Sequence, residues 1–463
     1  MTVFVAFVFV YFLAYSALQA VLLVLSVLEV RRYSGRLLAS SLRRAVRSPL
    51  APAVSILVPA FNEERGIVDS VRSLLAQEYP RFEVVVSNDG STDDTLERLV
   101  DGFGLRQVER PVPPFVPHAP VRGVYAPSAR LNLLVVDKEN GGGRADAMNA
   151  ALNFARYPLV CVIDADSILE QDALAKTLVP FVENPEQTIA SGGIIRLGNG
   201  CRIEGGRITD AALPRNWWAM FQVVEYLRAF FGSRPGWTAI KGLVIVSGAF
   251  GVFRKSVVID VGGYSTATVG EDMELVVRLH DVMHGRKRPY RISHVPDPVC
   301  WTEGPETASG LRSQRARWHR GSAEVLLAHL NMIANPREGT VGLVSLPALL
   351  LFEVLGPVVE LAGYVVATVA WATGALNTEV FLLFLAVAIL YGLVLSLGAL
   401  ALEDASSGQY PGWDDLGRVM AFAVLENLGY RQLLHFWRLE GFWQLARRSK
   451  WEAMARRDVS QIA

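Results

Sequence analysis

The sequence predicts an α/β chain: a parallel-rich sheet covered by helices in the middle, flanked by transmembrane and interfacial helices. Three observations carry this. Between residues 50 and 335, short apolar runs alternate with stretches of helical period. Long uncharged segments stand outside that region. The whole chain is 51% hydrophobic and only 19% charged, where a soluble domain carries about 25% charge.

The charge balance excludes some classes of function. Lys and Arg number 45, as do Asp and Glu, so the formal net charge is zero. This argues against a nucleic-acid partner, because phosphate neutralisation needs a basic surplus. The three cysteines, Cys161, Cys201 and Cys300, stand far apart in the chain. That spacing supports neither a thiolate metal site nor a disulfide framework.

The first element is an N-terminal transmembrane helix over 1–30. Val3 to Leu28 carries no charge, and about 20 apolar residues suffice to cross a bilayer as a helix. A secretory signal fits poorly, since no basic segment precedes the run and no small-residue cleavage motif closes it. Residues 31–50 form a basic juxtamembrane linker with Arg31, Arg32, Arg36, Arg43, Arg44 and Arg47. By the positive-inside rule the segment that follows is cytosolic.

The cytosolic domain runs over 51–335. Strands are expected at 54–59, 82–87, 131–136 and 159–163, with helices at 64–77, 92–100 and 144–154 between them. Strand–helix alternation implies a parallel sheet. Ligands of such sheets bind beyond the carboxyl ends of the strands. Residues 104–130 interrupt the order. Their proline-rich stretch 111–120 cannot be a regular element, and it reads as a surface loop rather than a docking segment.

A C-terminal membrane region is expected over 339–445. It has spans near 345–373 and 380–402 and an interfacial, re-entrant or spanning helix near 419–438. The first span is interrupted by Glu353 and Glu360. Seven residues apart, these lie on nearly one helix face; they face protein or a polar cavity, or else sit at the membrane surface. Residues 446–463 are a basic tail that prefers the cytosol. The chain is thus expected in the cell (inner or plasma) membrane, multi-pass, with its catalytic domain cytosolic.

The chemistry lies at the strand ends. The first strand leads into Asn62 and Glu63. The second leads into Asn88-Asp89-Gly90-Ser91, where Asp89 can accept hydrogen bonds from a base or ribose. Alone, that tetrapeptide is a common turn. The third leads into 137–146, whose glycines let the backbone approach a ligand and whose Lys138 and Arg144 offer positive charge. The fourth ends in Asp164-Ala-Asp166. Two carboxylates so placed can hold Mg²⁺ or Mn²⁺, which take oxygen ligands and share them with phosphates.

Two clusters follow downstream. Glu271-Asp272 opens a helical run to His284. The acidic start suits the helix dipole, and Asp272 is also placed to be a general base. In Gln314-Arg-Ala-Arg-Trp318, residues Gln314, Arg317, Trp318 and Gly321 share one helix face. Arginine grips phosphates, and an indole can pack on a sugar ring. The same pattern also describes an amphipathic helix near headgroups. Interfacial helices are expected near 212–238 and 308–332; the former mixes aromatics with arginines, and a core helix is its alternative.

With these motifs in order, the chain resembles a membrane-integrated family 2 glycosyltransferase with the GT-A (nucleotide-diphospho-sugar transferase) fold. The branch is that of processive polysaccharide synthases: cellulose, hyaluronan, chitin-oligosaccharide and poly-N-acetylglucosamine synthases. The resemblance implies a role for each matching residue. Asn62, Glu63 and Asp89 would hold the base and ribose, and Lys138 would lie near the nucleotide. Asp164 would contact the donor sugar or ribose, and Asp166 would ligate the metal. Asp272 would be the base. Gln314 and Arg317 would contact the diphosphate. Ser247, Gly248, Glu271 and Trp318 would line the acceptor site.

The implied reaction is an inverting, metal-dependent transfer, with Mg²⁺ or Mn²⁺, from a UDP-sugar to a growing β-linked polysaccharide or oligosaccharide. UDP-N-acetylglucosamine is the first expected donor and UDP-glucose the next, and the reaction is expected to be coupled to export. The chain shows fewer spans than the cellulose and hyaluronan branches. Either its channel is narrow, or a small membrane or accessory subunit completes it. Two alternatives stand beside this: a single-sugar transferase acting on a lipid carrier, and a non-catalytic membrane scaffold.

Overall fold

Apolar runs that end in polar turns assemble into a ten-stranded mixed sheet in the computed structural model, which describes residues 2–39, 45–46, 48–128, 131–374, 377–406 and 413–447. Most of the expected basic tail, together with Arg43, Arg44 and Arg47, lies outside the described residues. The chain divides into two units. The first to be described comprises residues 32–214 and 243–304, and it carries the sheet.

Its strands in chain order are β1 Val54–Ala60, β2 Phe82–Asn88, β3 Leu105–Gln107, β4 Val121–Pro127, β5 Leu133–Lys138, β6 Leu159–Ile163, β7 Ile168–Leu169, β8 Thr188–Leu197, β9 Arg202–Glu204, β10 Arg207–Asp210, β11 Phe250–Arg254 and β12 Arg291–Thr302. The sheet order is β3-β4-β5-β2-β1-β6-β11-β8-β12-β7, and β9 with β10 forms a separate hairpin. Strands β5, β2, β1 and β6 run parallel, while β11 runs against both β6 and β8. Val54, Ile56, Leu57 and Val58 of β1 are all fully buried, as a parallel strand covered on both faces requires.

The helices follow from apolar spacing and from what their ends can bond. Helix Ile67–Leu75 buries Ile67, Val71 and Leu74, one stripe at helical period. It begins three residues later than expected. The amides of Glu63 and Glu64 are taken by the Thr95 hydroxyl at 2.8 Å and Asp93 at 3.1 Å, which holds that stretch as a loop. Helix Thr95–Phe103 stops at Gly104, whose φ of +60° is the left-handed cap glycine tolerates best.

Helix Arg144–Phe154 is buried from Ala145 to its end. Its polar side chains pin distant segments. Asn149 bonds both the amide and the carbonyl of Tyr264, at 2.8 and 3.0 Å. Asn153 does the same for Val116, at 3.0 and 2.8 Å. The expected surface loop at 104–130 is therefore in part structural. It supplies the edge strand β3 and its neighbour β4, and it buries Val116. The stretch 111–120 holds no regular element, as its prolines dictate.

The second unit comprises residues 1–31, 215–242 and 305–450. Among the described residues, Phe7–Arg36 of helix Thr2–Ala39 is the one helix long and apolar enough to cross a membrane. Segments Val341–Val354 and Gly356–Ala372 pass that test together and are bent by 47° at their junction. Helix Thr378–Ser406 follows. The 419–438 stretch is not one straight helix. Helices Trp413–Leu425 and Arg431–Arg447 are separated by non-helical backbone at Leu428 and Gly429.

Polar and aromatic side chains tie this unit together. Ser26 donates to the Gly232 carbonyl at 3.0 Å and accepts from the Gly236 amide at 2.8 Å. Phe221 of helix Trp217–Leu227 stacks on Tyr430, with centroids 4.2 Å apart. The two glutamates of the bent pair each lie near a basic side chain. Glu360 lies 2.9 Å from His435, and Glu353 lies 3.6 Å from Arg438.

Candidate active site

The loops after β1, β2, β5 and β6 bring the sequence motifs of the sheet unit to one end of the parallel strands. Asn62 takes a positive φ of 56°, which Asn tolerates better than most residues. Its side-chain oxygen accepts from the Thr92 amide at 2.8 Å, and its amide donates to Ser91 at 3.0 Å. Ser91 donates in turn to Asn88 at 2.6 Å. Through these bonds the Asn62–Glu63 loop is docked on the loop that carries Asp89.

Asp89 is buried, with its amide bonded to the Ala60 carbonyl at 2.9 Å. Its carboxylate accepts from the Gly141 amide at 3.0 Å and pairs with the Lys138 ammonium. Burial pushes the Asp89 carboxyl above its usual range, against the hydrogen bonds from Lys138 and Gly141. Lys138 is wholly buried and also reaches Asp146 at 2.6 Å and the Glu139 carbonyl at 2.6 Å. The side chain expected near a nucleotide is thus engaged by two carboxylates. Gly90 has φ +66°, and a Cβ there would stand 2.8 Å from the Asn140 amide nitrogen. The turn after β2 needs its glycine.

A second cluster forms around Arg144. Its guanidinium donates to Asp164 at 2.8 Å, to Glu271 at 2.9 Å and to the Gly248 carbonyl at 2.6 Å. The Gly248 amide donates to Asp272 at 3.0 Å. One arginine thereby joins the first carboxylate after β6, the Ser247–Gly248 loop and the Glu271–Asp272 helix start. A Cβ on Gly248 would lie 2.9 Å from Arg144 and 3.3 Å from Asp272, so a side chain there would push the guanidinium out of its bonds. Burial would lower the guanidinium's pKa, but Asp164 and Glu271 outweigh it and hold Arg144 charged. Glu271 is pushed up by burial against the pull of Arg144. Asp272 sits at the start of helix Glu271–Gly285, half-buried.

The sequence flagged Arg144 only as a positive charge in a glycine-rich loop. Its partners stand 20, 104 and 127 residues away, so no local signal could name them. The signal that was present is the glycine run before a helix start, which lets a first-turn side chain turn inward.

Asp166 is half-buried and accepts from the Ser167 hydroxyl at 3.5 Å. Among the described residues, no group of three His, Cys, Asp or Glu could hold a metal unaided. A single carboxylate suits Mg²⁺ or Mn²⁺ only where substrate phosphates and water supply the other ligands.

Gln314, Arg317 and Trp318 belong to helix Ala308–Ala328 of the other unit. Gln314 is buried with no hydrogen-bond partner for its side-chain oxygen, Arg317 is half-buried and Trp318 is 42% exposed. Sequence reasoning passed over Arg315. Its guanidinium carbon stands 4.6 Å from the centroid of the Trp318 ring, and it pairs with Glu225 at 2.5 Å. The indole is therefore held by a buried ion pair.

Fold and cluster together define a glycosyltransferase with the α/β GT-A architecture. Residues 159–400 match glycosyl transferase family group 2, and residues 55–106 match glycosyl transferase family 2. The chain belongs to this family of glycosyltransferases. It is 29% identical over 274 residues to the poly-beta-1,6-N-acetyl-D-glucosamine synthase of Staphylococcus aureus strain COL, covering 59% of this chain and 55% of that one. The synthase of the same name from Staphylococcus epidermidis is 28% identical over an equal span. The match thus spans about half the length of these curated relatives. Among solved structures, the mannosyltransferase PcManGT from Pyrobaculum calidifontis, in complex with GDP-Man and Mn2+, aligns with a TM-score of 0.52 and 19% identity. It covers 89% of this chain and 99% of that chain. That likeness shows the fold.

Proposed function

We propose that this chain is an inverting polysaccharide synthase of a cell membrane. It would transfer N-acetylglucosamine from UDP-N-acetylglucosamine to a growing β-linked polymer. The observation that carries the reading is the Arg144 cluster, which fastens Asp164, the Gly248 loop and the Asp272 helix start into one constellation. The donor and the product are inferred from the names of the curated relatives.

Asp89 and the Asn62–Glu63 loop receive the base and ribose. Asp164, oriented by Arg144, contacts the donor sugar. Asp272 takes the proton of the acceptor hydroxyl as that oxygen attacks the anomeric carbon. The Gly248 amide holds the Asp272 carboxylate in place for this step. The UDP leaves from the opposite face, so one displacement inverts the centre and an α-linked donor yields a β-linkage. Gln314 and Arg317 neutralise the diphosphate, and Trp318 supplies an aromatic platform for the acceptor sugar; Ser247 and Glu271 complete the acceptor side. Asp166 would hold a divalent cation, which when bound would stabilise the charge developing on the leaving group.

Membrane attachment is supported by helix Phe7–Arg36, the bent pair 341–372 and the apolar helix Thr378–Ser406. Arg31, Arg32 and Arg36 close the first helix and favour a cytosolic sheet unit. The direct test incubates purified protein with a panel of sugar nucleotides, follows released UDP and sizes the product by mass spectrometry. A ladder of N-acetylhexosamine increments is expected from UDP-N-acetylglucosamine. A product of one sugar on a lipid would overturn the polymerising part of the proposal.

A further inference from the structure

Helix Arg144–Phe154 sends its first-turn side chains in two directions. Arg144 and Asp146 are two positions apart, about 200° around the helix axis. Arg144 serves the cluster described above, whereas Asp146 serves the other end of the site. Its carboxylate lies 2.6 Å from the Lys138 ammonium, which also pairs with Asp89. Both Asp146 oxygens accept from the Ala119 amide, at 3.0 and 3.2 Å. Arg144, Asp146, Lys138, Asp89 and Ala119 all lie in the sheet unit.

The surroundings are built for this arrangement. Lys138 is wholly buried and Asp89 and Asp146 nearly so. A Cβ on Gly141 would stand 2.1 Å from the Asp146 carboxylate, so only glycine lets the loop close over it. The proline-rich insertion is anchored at the same place. The Pro120 carbonyl accepts from the Glu139 amide at 2.9 Å, and Val116 is held by Asn153.

We propose that Asp146 is a positioning residue for the donor site, and that the 111–120 insertion is the strap that fixes it. The path is Ala119 amide, Asp146 carboxylate, Lys138 ammonium, Asp89 carboxylate. An ammonium shared between two carboxylates has one stable location, and Asp89 is set by that location. Removing Asp146 leaves the buried Lys138 with Asp89 as its one carboxylate beside the Glu139 carbonyl, and Asp89 is then drawn toward it and away from the base and ribose. This rests on the reading of Asp89 as the donor carboxylate.

The test measures UDP binding by titration calorimetry on the full-length protein in nanodiscs, beside kcat and thermal midpoint. Asp146→Asn is expected to weaken UDP about tenfold with kcat within about twofold. Ala119→Pro, which removes the amide and keeps the carboxylate, is expected to weaken UDP about threefold. The decisive comparison is a cycle with Asp89→Asn, since groups that act through one another are not additive. In the Asp89→Asn background, Asp146→Asn should cost nothing further. An equal loss in both backgrounds would sink the inference while leaving Asp89 as a donor contact. A lower thermal midpoint and lower kcat with unchanged UDP affinity would make Asp146 merely structural. Wild-type UDP affinity in Asp89→Asn would overturn the donor-site reading, and the positioning claim with it.

Discussion

At the scale of single residues, the proposed roles separate cleanly. In the proposed mechanism Asp272 is a base and not a phosphate contact. Asp272→Asn should therefore reduce transfer by three orders of magnitude or so while UDP affinity stays within about twofold; near-normal turnover would refute the assignment. Glu271 gives a pH signature. Burial raises its carboxyl above the ordinary 4.5 against the pull of Arg144, with Asp272 adding to the rise. The folded state then holds the proton more tightly than the unfolded state does. Its contribution to stability is complete below the unfolded value and is lost as pH rises through the folded one. Glu271→Gln mimics the protonated form, so its thermal midpoint relative to wild type should climb as pH rises above about 4.5. A flat difference across that window would count against a raised carboxyl.

At the scale of elements, the helix Arg144–Phe154 organises more of the sheet unit than its length suggests. Asn153→Ala removes both bonds that hold Val116. A loss of about 1–3 kcal/mol in stability is expected, with faster protease cutting within 111–120. Unchanged cutting would show that the insertion is held elsewhere. The same elements show how far a sequence can be read. Strands β1, β2 and β6 match their expected ranges to within a residue, because a strand buried on both faces is an unbroken apolar run. Strand β4 buries only Gly123 and Val124 and sits next to prolines, so no such run marks it. The strand expected at 131–136 lies at 133–138, and the shift places Lys138 in the strand and not in the loop. Asp89, Asp164, Asp166 and Asp272 announce themselves as polar residues at the ends of apolar elements. Arg144 and Arg315 do not, because their carboxylate partners are distant in sequence, and Asp146 does not, because only the fold turns it from its helix toward Lys138 and Ala119.

At the scale of the whole molecule, the chain combines a sheet unit with a helical unit in which ionisable groups are paired. Arg228 pairs with the wholly buried Glu426, and Glu360 faces His435. Arg228→Met would leave Glu426 as a buried charge without its partner, a loss of about 3–5 kcal/mol. Thermal unfolding in detergent should report it, and Glu426→Gln in the same background should restore most of the loss. Failure of that rescue would show that the pair is not what the two residues contribute. Sedimentation with membranes after an alkaline carbonate wash is the expected behaviour of the intact protein. Its release into the supernatant would overturn the membrane reading.

The single guanidinium of Arg144 also limits how such an enzyme can diverge. Three stretches of chain meet on it, so none can be exchanged alone. If the 247–250 segment lines the acceptor as proposed, a new acceptor preference reached by swapping it would survive only where the incoming segment offers a carbonyl at the same spot and a residue without a side chain beside it. Diversification should then concentrate on Ser247 and Ala249, the neighbours of that fixed glycine, and libraries that vary those two positions while keeping Gly248 should hold far more active members than libraries that vary all three.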